Sequence, residues 1–346
     1  MKLLILILLL LCIPTTTVNA AEFDPPEPPA YAEDLMPDSQ ESFEDGLLEV
    51  ISSALPAIQP SLAAASRECC SVLAVILLVT LTKALPYHQN NISSVVGSIA
   101  IGALLLRSSD TLIRLGAETV RLLNDYGKLL IPVMTAALAA QGYMGSSSAL
   151  YAGTVLFNTL LSTAITKLVL PLIYIFLCLC VVSSAIGEDI LQKMCDLVKW
   201  LMTWTLKTIL YVFTGYISLT GIITKTMDAA AVKAAKLAIS GAVPVVGSIL
   251  SDASETLLAS VAVMKNSAGI YGTFAIICIL IEPFMKIGVQ YLLLKFTAAV
   301  SSIFGSKQEV ALVQNFSSAM GILLGMTGTV SVLLLISTIC FIGGAG

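Results

Sequence analysis

Charge is scarce in this chain. Only 12% of its 346 residues are Asp, Glu, Lys or Arg, where soluble domains carry about 25%. With 57% hydrophobic residues and a mean hydropathy of +0.93, a chain of this size cannot hide its apolar surface from water. Lipid is therefore the solvent for most of it. Strict apolar/polar alternation is also missing, which excludes barrel strands. Backbone polar groups in lipid must then bond within helices.

Histidine is almost absent. His88 stands alone in the polar run Pro86-Tyr87-His88-Gln89-Asn90-Asn91. That excludes two-histidine metal sites of the HExxH kind and leaves a Ser/His hydrolase only this one residue. No P-loop, GxGxxG or paired-aspartate protease signature occurs. The eight cysteines (Cys12, Cys69, Cys70, Cys178, Cys180, Cys195, Cys278 and Cys340) include no CxxC. Lying in or beside apolar runs, they read as small buried residues of a helix bundle. No catalytic residue, metal ligand or cofactor is expected, and any ATP hydrolysis must come from another chain.

What is present is long and apolar. Charge-free runs cover residues 129–166, 168–187, 208–224, 237–251, 266–281 and 310–346. Several reach the roughly 20 residues that cross a bilayer as a helix. The expected fold is all-α: a polytopic integral membrane helical bundle of about six to eight spans.

Residues 1–20 read as a secretory signal: Lys2, an apolar core over 3–13, and the small-residue site Val18-Asn19-Ala20. This places the following tail outside the cytoplasm. That tail, residues 21–45, holds nine acids and no base and contains Pro25-Pro26-Glu27-Pro28-Pro29. Its composition predicts an extended or disordered segment, a spacer or a docking tail. Residues 46–67 are amphipathic, interrupted by Pro56 and Pro60, and read as an interfacial segment. The membrane domain follows over 68–346, with span candidates at 69–85 and 92–106.

Arg107, Arg114, Arg121 and Lys128 recur every seven residues, with Asp110, Glu118 and Asp125 between them. Helices drift only about 20° per heptad, so the bases form one stripe. It reads as the solvated face of an interfacial helix or as an interface for anionic headgroups or an acidic partner. If both preceding candidates span, the stripe lies outside, against the positive-inside rule; one of them is then re-entrant.

Two segments resemble each other. Val182-Ser183-Ser184-Ala185-Ile186-Gly187 matches Val300-Ser301-Ser302-Ile303-Phe304-Gly305, and Thr214-Gly215-Tyr216-Ile217-Ser218 matches Thr327-Gly328-Thr329-Val330-Ser331. The pattern predicts repeats over 149–224 and 267–341 around a central hairpin, 225–266. Transport proteins often place their working site between such units. Gly321 and Gly325 form a GxxxG, a spacing that lets another helix approach closely.

The central segment is apolar yet broken at Gly241, Pro244 and Gly247, and carries Asp252, Glu255 and Lys265. Asp252 reads as an N-cap with Glu255 as its capping-box partner. The helix it starts is too short to cross alone, so the hairpin reads as broken or re-entrant, a form that lines transport pathways. Glu282 lies within the apolar run 276–284, followed by Pro283, with Lys286 four residues on. Intramembrane carboxylates are costly and often functional. Pro244, Gly247, Asp252, Glu255, Lys265, Glu282 and Lys286 are the candidate pathway or structural residues.

The run Pro244-Val245-Val246-Gly247, Ser251-Asp252-Ala253, Glu255-Thr256, Lys265-Asn266 and Gly269, together with Thr214-Gly215-x-x-Ser218, resembles the stage III sporulation protein AE family. The resemblance implies a role: a multi-pass subunit in the mother-cell membrane around the developing spore. It also implies partners: other membrane subunits, ring-forming secretion-like subunits, a secretion-type ATPase and, indirectly, a forespore membrane protein. It carries no active site. A self-contained permease and a purely structural anchor are the alternatives.

Overall fold

The computed structural model describes residues 25–37, 43–83, 92–140, 144–219 and 267–343. All regular structure among them is helical. A short α1 (Ala30–Glu33) precedes α2 (Phe43–Lys83) and α3 (Ile92–Ala140). Then come α4 (Met144–Ala164), a π segment (Ile165–Val169), α5 (Leu170–Ile186), α6 (Asp189–Leu219), α7 (Ser267–Ser301) and α8 (Lys307–Gly343). The central hairpin, 225–266, lies outside the described residues.

Five helical stretches are long and apolar enough to cross a membrane among the described residues: Ile58–Lys83, Ser93–Ala139, Ser147–Ile186, Gly269–Ser301 and Lys307–Ile342. The protein is a helical membrane bundle. Its helices run on where the sequence suggested stops. The segment 46–67 and the first span are one helix, α2, because Pro56 and Pro60 lie on its exposed face. There their rings crowd no packed neighbour. Span candidate 92–106, the basic stripe and 129–140 are likewise one helix, α3. The stripe is thus the middle of a membrane helix, not a separate interfacial one.

Between α4 and α5 the helix widens instead of breaking. Pro171 has no N–H and would crowd the carbonyl four residues back in an α-helix. The π segment shifts the bonding, with Leu170 N–H donating to Ile165 O, and so accommodates the proline.

α8 is the axle of the fold. It packs against α3, α4, α5, α6 and α7, and 78% of its most apolar stretch lies inside the bundle, against 28% for that of α2. This follows from its sequence, which is apolar all round. α7 pairs with it as an antiparallel hairpin.

Three connections share one end of the bundle. Thr80 Oγ1 at the end of α2 donates to Phe304 O (3.1 Å). Ser184 Oγ at the end of α5 donates to Gln308 O (3.0 Å) and lies 2.9 Å from Ser98 Oγ, with which it shares a hydrogen bond. Both VSSxxG segments turn the chain here. Gly187 N–H donates to Ser183 O (2.8 Å) and Gly305 N–H to Ser301 O (2.7 Å). Gly187 alone takes a left-handed φ, +78°, ending α5. α8 then starts on a capping box: Ser306 N–H donates to Glu309 Oε2 (2.9 Å) and Glu309 N–H to Ser306 Oγ (3.5 Å). Lys83 Nζ reaches Glu309 Oε1 at 3.0 Å, which ties α2 to this cap.

Candidate functional site

Polar groups gather halfway along the helices. At 1.5 Å per residue, α2, α3, α7 and α8 are about 52 to 73 Å long, well beyond the roughly 30 Å hydrocarbon core. Their charges are not spread evenly. On α3 the stripe sits between the charge-free stretches 92–106 and 129–140.

Within the stripe, bases and acids bind each other along the helix. Arg114 Nε bonds Asp110 Oδ2 at 2.9 Å and Lys128 Nζ bonds Asp125 Oδ1 at 2.8 Å. Arg121 lies 3.7 and 3.8 Å from Glu118 and Asp125. These side chains are mostly exposed, and such pairs contribute little to stability. Arg107 is exposed on the same face. Tyr174 Oη of α5 donates to Asp110 Oδ1 (2.9 Å). A groove of about 490 Å³ runs between Arg114, Glu118, Arg121 and Asn124 of α3 and Ser162 and Thr166 of the opposite helix, beside the π segment.

Glu282 and Lys286 form the expected i,i+4 ion pair on α7, each about 30% exposed. One turn further on, Gln290 Nε2 donates to Glu68 Oε2 of α2 (3.0 Å). Glu68 Oε1 accepts from Ser108 Oγ of α3. A carboxylate inside a span is thus held by two helices, with both oxygens accepting. Glu68 is the acid that the sequence reading missed. It stands next to Arg67 and looks like the charged edge of the span beginning at Cys69. The available signal was Gln290, a buried amide in the apolar run of α7.

The other expected residues divide. Pro244, Gly247, Asp252, Glu255 and Lys265 lie outside the described residues, as does His88. Gly321 is buried in α8. At Gly325, among the described residues, no other helix comes within 4 Å of where a Cβ would sit. The close approaches occur at other glycines, notably Gly116 and Gly127 of α3 against α8. No cluster of three or more potential metal ligands occurs among the described residues.

Residues 25–37 differ from the free-spacer reading of the acidic segment and accord with the docking one: they are packed along α7. Ala32 is fully buried and Pro28 is buried. Tyr31 Oη donates to Ile279 O (3.2 Å), and Cys278 Sγ–H donates to Leu35 O (3.4 Å). Burial pushes the Tyr31 hydroxyl above the usual phenol range, and nearby Glu282 and Glu118 add to that. It therefore stays protonated, as a donor must.

Charge-poor helices around an apolar axle, with ion pairs and a held carboxylate at mid-height, define a polytopic membrane protein with a polar interior layer. A family description, stage III sporulation protein AE (spore_III_AE), matches residues 50–346; the chain belongs to that family. It is similar to the stage III sporulation protein AE of Bacillus subtilis (strain 168), 26% identical over 257 residues. The match covers 72% of this chain and 64% of that relative's length. No solved structure matches.

Proposed function

We propose that this chain is a non-enzymatic membrane subunit of a sporulation-specific channel or secretion complex joining mother cell and forespore. Family membership supports the sporulation role. The observation that carries the conduit reading is the polar layer: Glu68, Glu282 and Lys286 within spans, beside a charged groove on α3. Such groups are expensive in lipid and mark pathways more often than scaffolds.

In this reading the chain resides in the mother-cell membrane around the forespore, with its acidic N-terminal segment outside the cytoplasm. Its partners are other membrane subunits, ring-forming subunits and a secretion-type ATPase, with a forespore membrane protein contacted through them. Gly325, which no other helix among the described residues approaches, and the stripe Arg107, Arg114, Arg121 and Lys128 are the surfaces proposed for those partners. The repeats 149–224 and 267–341 are proposed as the walls and the central hairpin as the lining.

The test is a complementation assay in a spore-forming host lacking its own copy. Asp252→Asn, Glu255→Gln and Glu282→Gln combined are expected to abolish spore formation while the protein still reaches the membrane. Normal sporulation and normal complex assembly in the triple variant would remove these residues from the pathway. A permease is favoured by one observation, the held carboxylate Glu68. Solute flux through the purified chain alone in liposomes would replace the subunit reading with that one.

A further inference from the structure

α7 has a defect built into its middle, and the N-terminal segment fits it. Pro283 has no N–H, so the carbonyl four residues back, that of Ile279, loses its helical donor. Within a membrane bundle an orphan carbonyl is costly and takes a donor from elsewhere. The donor here is the Tyr31 hydroxyl, 248 residues away in sequence. One residue before Ile279, the Cys278 thiol bonds back to Leu35 O.

The contact is extended. Tyr31, Leu35 and Met36 pack on the apolar core, and Ala32 is fully buried. Pro37 lies against Gly46 and Phe274, where the chain turns towards α2. Phe43 closes that end with its ring 4.7 Å from Phe274. Glu282 lies directly before the break, one helical turn from the Ile279 carbonyl that Tyr31 caps.

We propose that the Pro283 break of α7 is a docking groove for a short helical turn flanked by prolines, and that residues 25–37 are its resident ligand. Docked, this strap fills the vacancy at Ile279 and buries Cys278 next to the Glu282–Lys286 pair. Undocked, it uncovers both, so the strap is a latch over the polar layer. The proposal does not depend on the channel reading, because every contact it uses is within this chain.

The test follows Cys278 in the full-length protein in membranes. Its labelling by a maleimide is read by mass spectrometry, with the buried Cys340 as reference. Tyr31→Phe removes one hydrogen bond and is expected to speed Cys278 labelling about fivefold, leaving Cys340 unchanged. Pro283→Ala gives Ile279 O a helical donor again, so adding Tyr31→Phe to it should change the rate less than about twofold. Ala32→Trp, which the buried site cannot admit, is expected to raise labelling further than Tyr31→Phe does. The latch is overturned if Tyr31→Phe leaves the rate unchanged or acts equally with and without Pro283. It also falls if Cys340 becomes reactive in step, or if Cys278 stays protected in Ala32→Trp.

Discussion

Replacing Glu309 by Ala is expected to lower the unfolding free energy of the bundle by about 3 to 4 kcal/mol, from a lost cap and a broken buried pair. The Glu309 side chain is fully buried. It does two jobs at the corner where α2, α3, α5, α7 and α8 meet. One oxygen accepts the Ser306 N–H and completes the capping box of α8. The other accepts from Lys83, whose ammonium also reaches Ser94 Oγ of α3 at 3.4 Å. Lys83 is one-third exposed, so the pair is worth less than a fully enclosed one. Glu309→Gln keeps an acceptor for Ser306 and loses the charge, so it should cost about half as much. Lys83→Met leaves the carboxylate buried without its cation and should approach the Glu309→Ala value. Reversible unfolding in mixed micelles measures all three. If Glu309→Ala costs less than about 1 kcal/mol, the corner behaves as a surface ion pair and the cap is incidental.

That corner also shows what could be read from the sequence. Ser306-Lys307-Gln308-Glu309 is a plain S-x-x-E before an apolar run, the same signature read at Asp252 and Glu255. Membrane class was legible because it depends on composition alone, and the stripe because its period is local. Helix continuity was not legible. Pro56, Pro60 and Pro132 look like stops, yet each remains inside a helix. In a membrane bundle neighbouring groups satisfy the freed carbonyls. Glu68 was hidden for a different reason: its partners, Ser108 and Gln290, lie 40 and 222 residues away. The strap needed both readings together. Acidic, proline-rich composition predicts a spacer or a docking tail, and only the vacancy made by Pro283 explains why Tyr31 docks.

Gly127→Leu is expected to cost about 4 kcal/mol, from overpacking and the loss of a buried hydrogen bond. A Cβ at this position would lie 2.7 Å from Leu334 Cδ2 of α8 and 3.2 Å from Asn158 Nδ2 of α4. Asn158 Nδ2 donates to Asn124 Oδ1 at 3.1 Å, and both amides are buried. Asn158 Oδ1 already has no partner. A leucine would therefore push α3 off the axle helix and break the amide pair that links α3 to α4. Gly127→Ala meets the flexible end of Leu334 and presses on Asn158 Nδ2 at 3.2 Å without displacing it, and should cost about 1 to 3 kcal/mol. Gly325→Leu is the contrasting case. Among the described residues no other helix comes within 4 Å of its Cβ position, and Leu is the better helix former by about 0.8 kcal/mol. The isolated chain should therefore tolerate it with no loss of stability. If Gly325→Leu unfolds as wild type in micelles but fails to sporulate, the defect lies where another helix meets α8. If it is as unstable as Gly127→Leu, Gly325 belongs to the packing of the chain itself and the partner surface must be sought elsewhere.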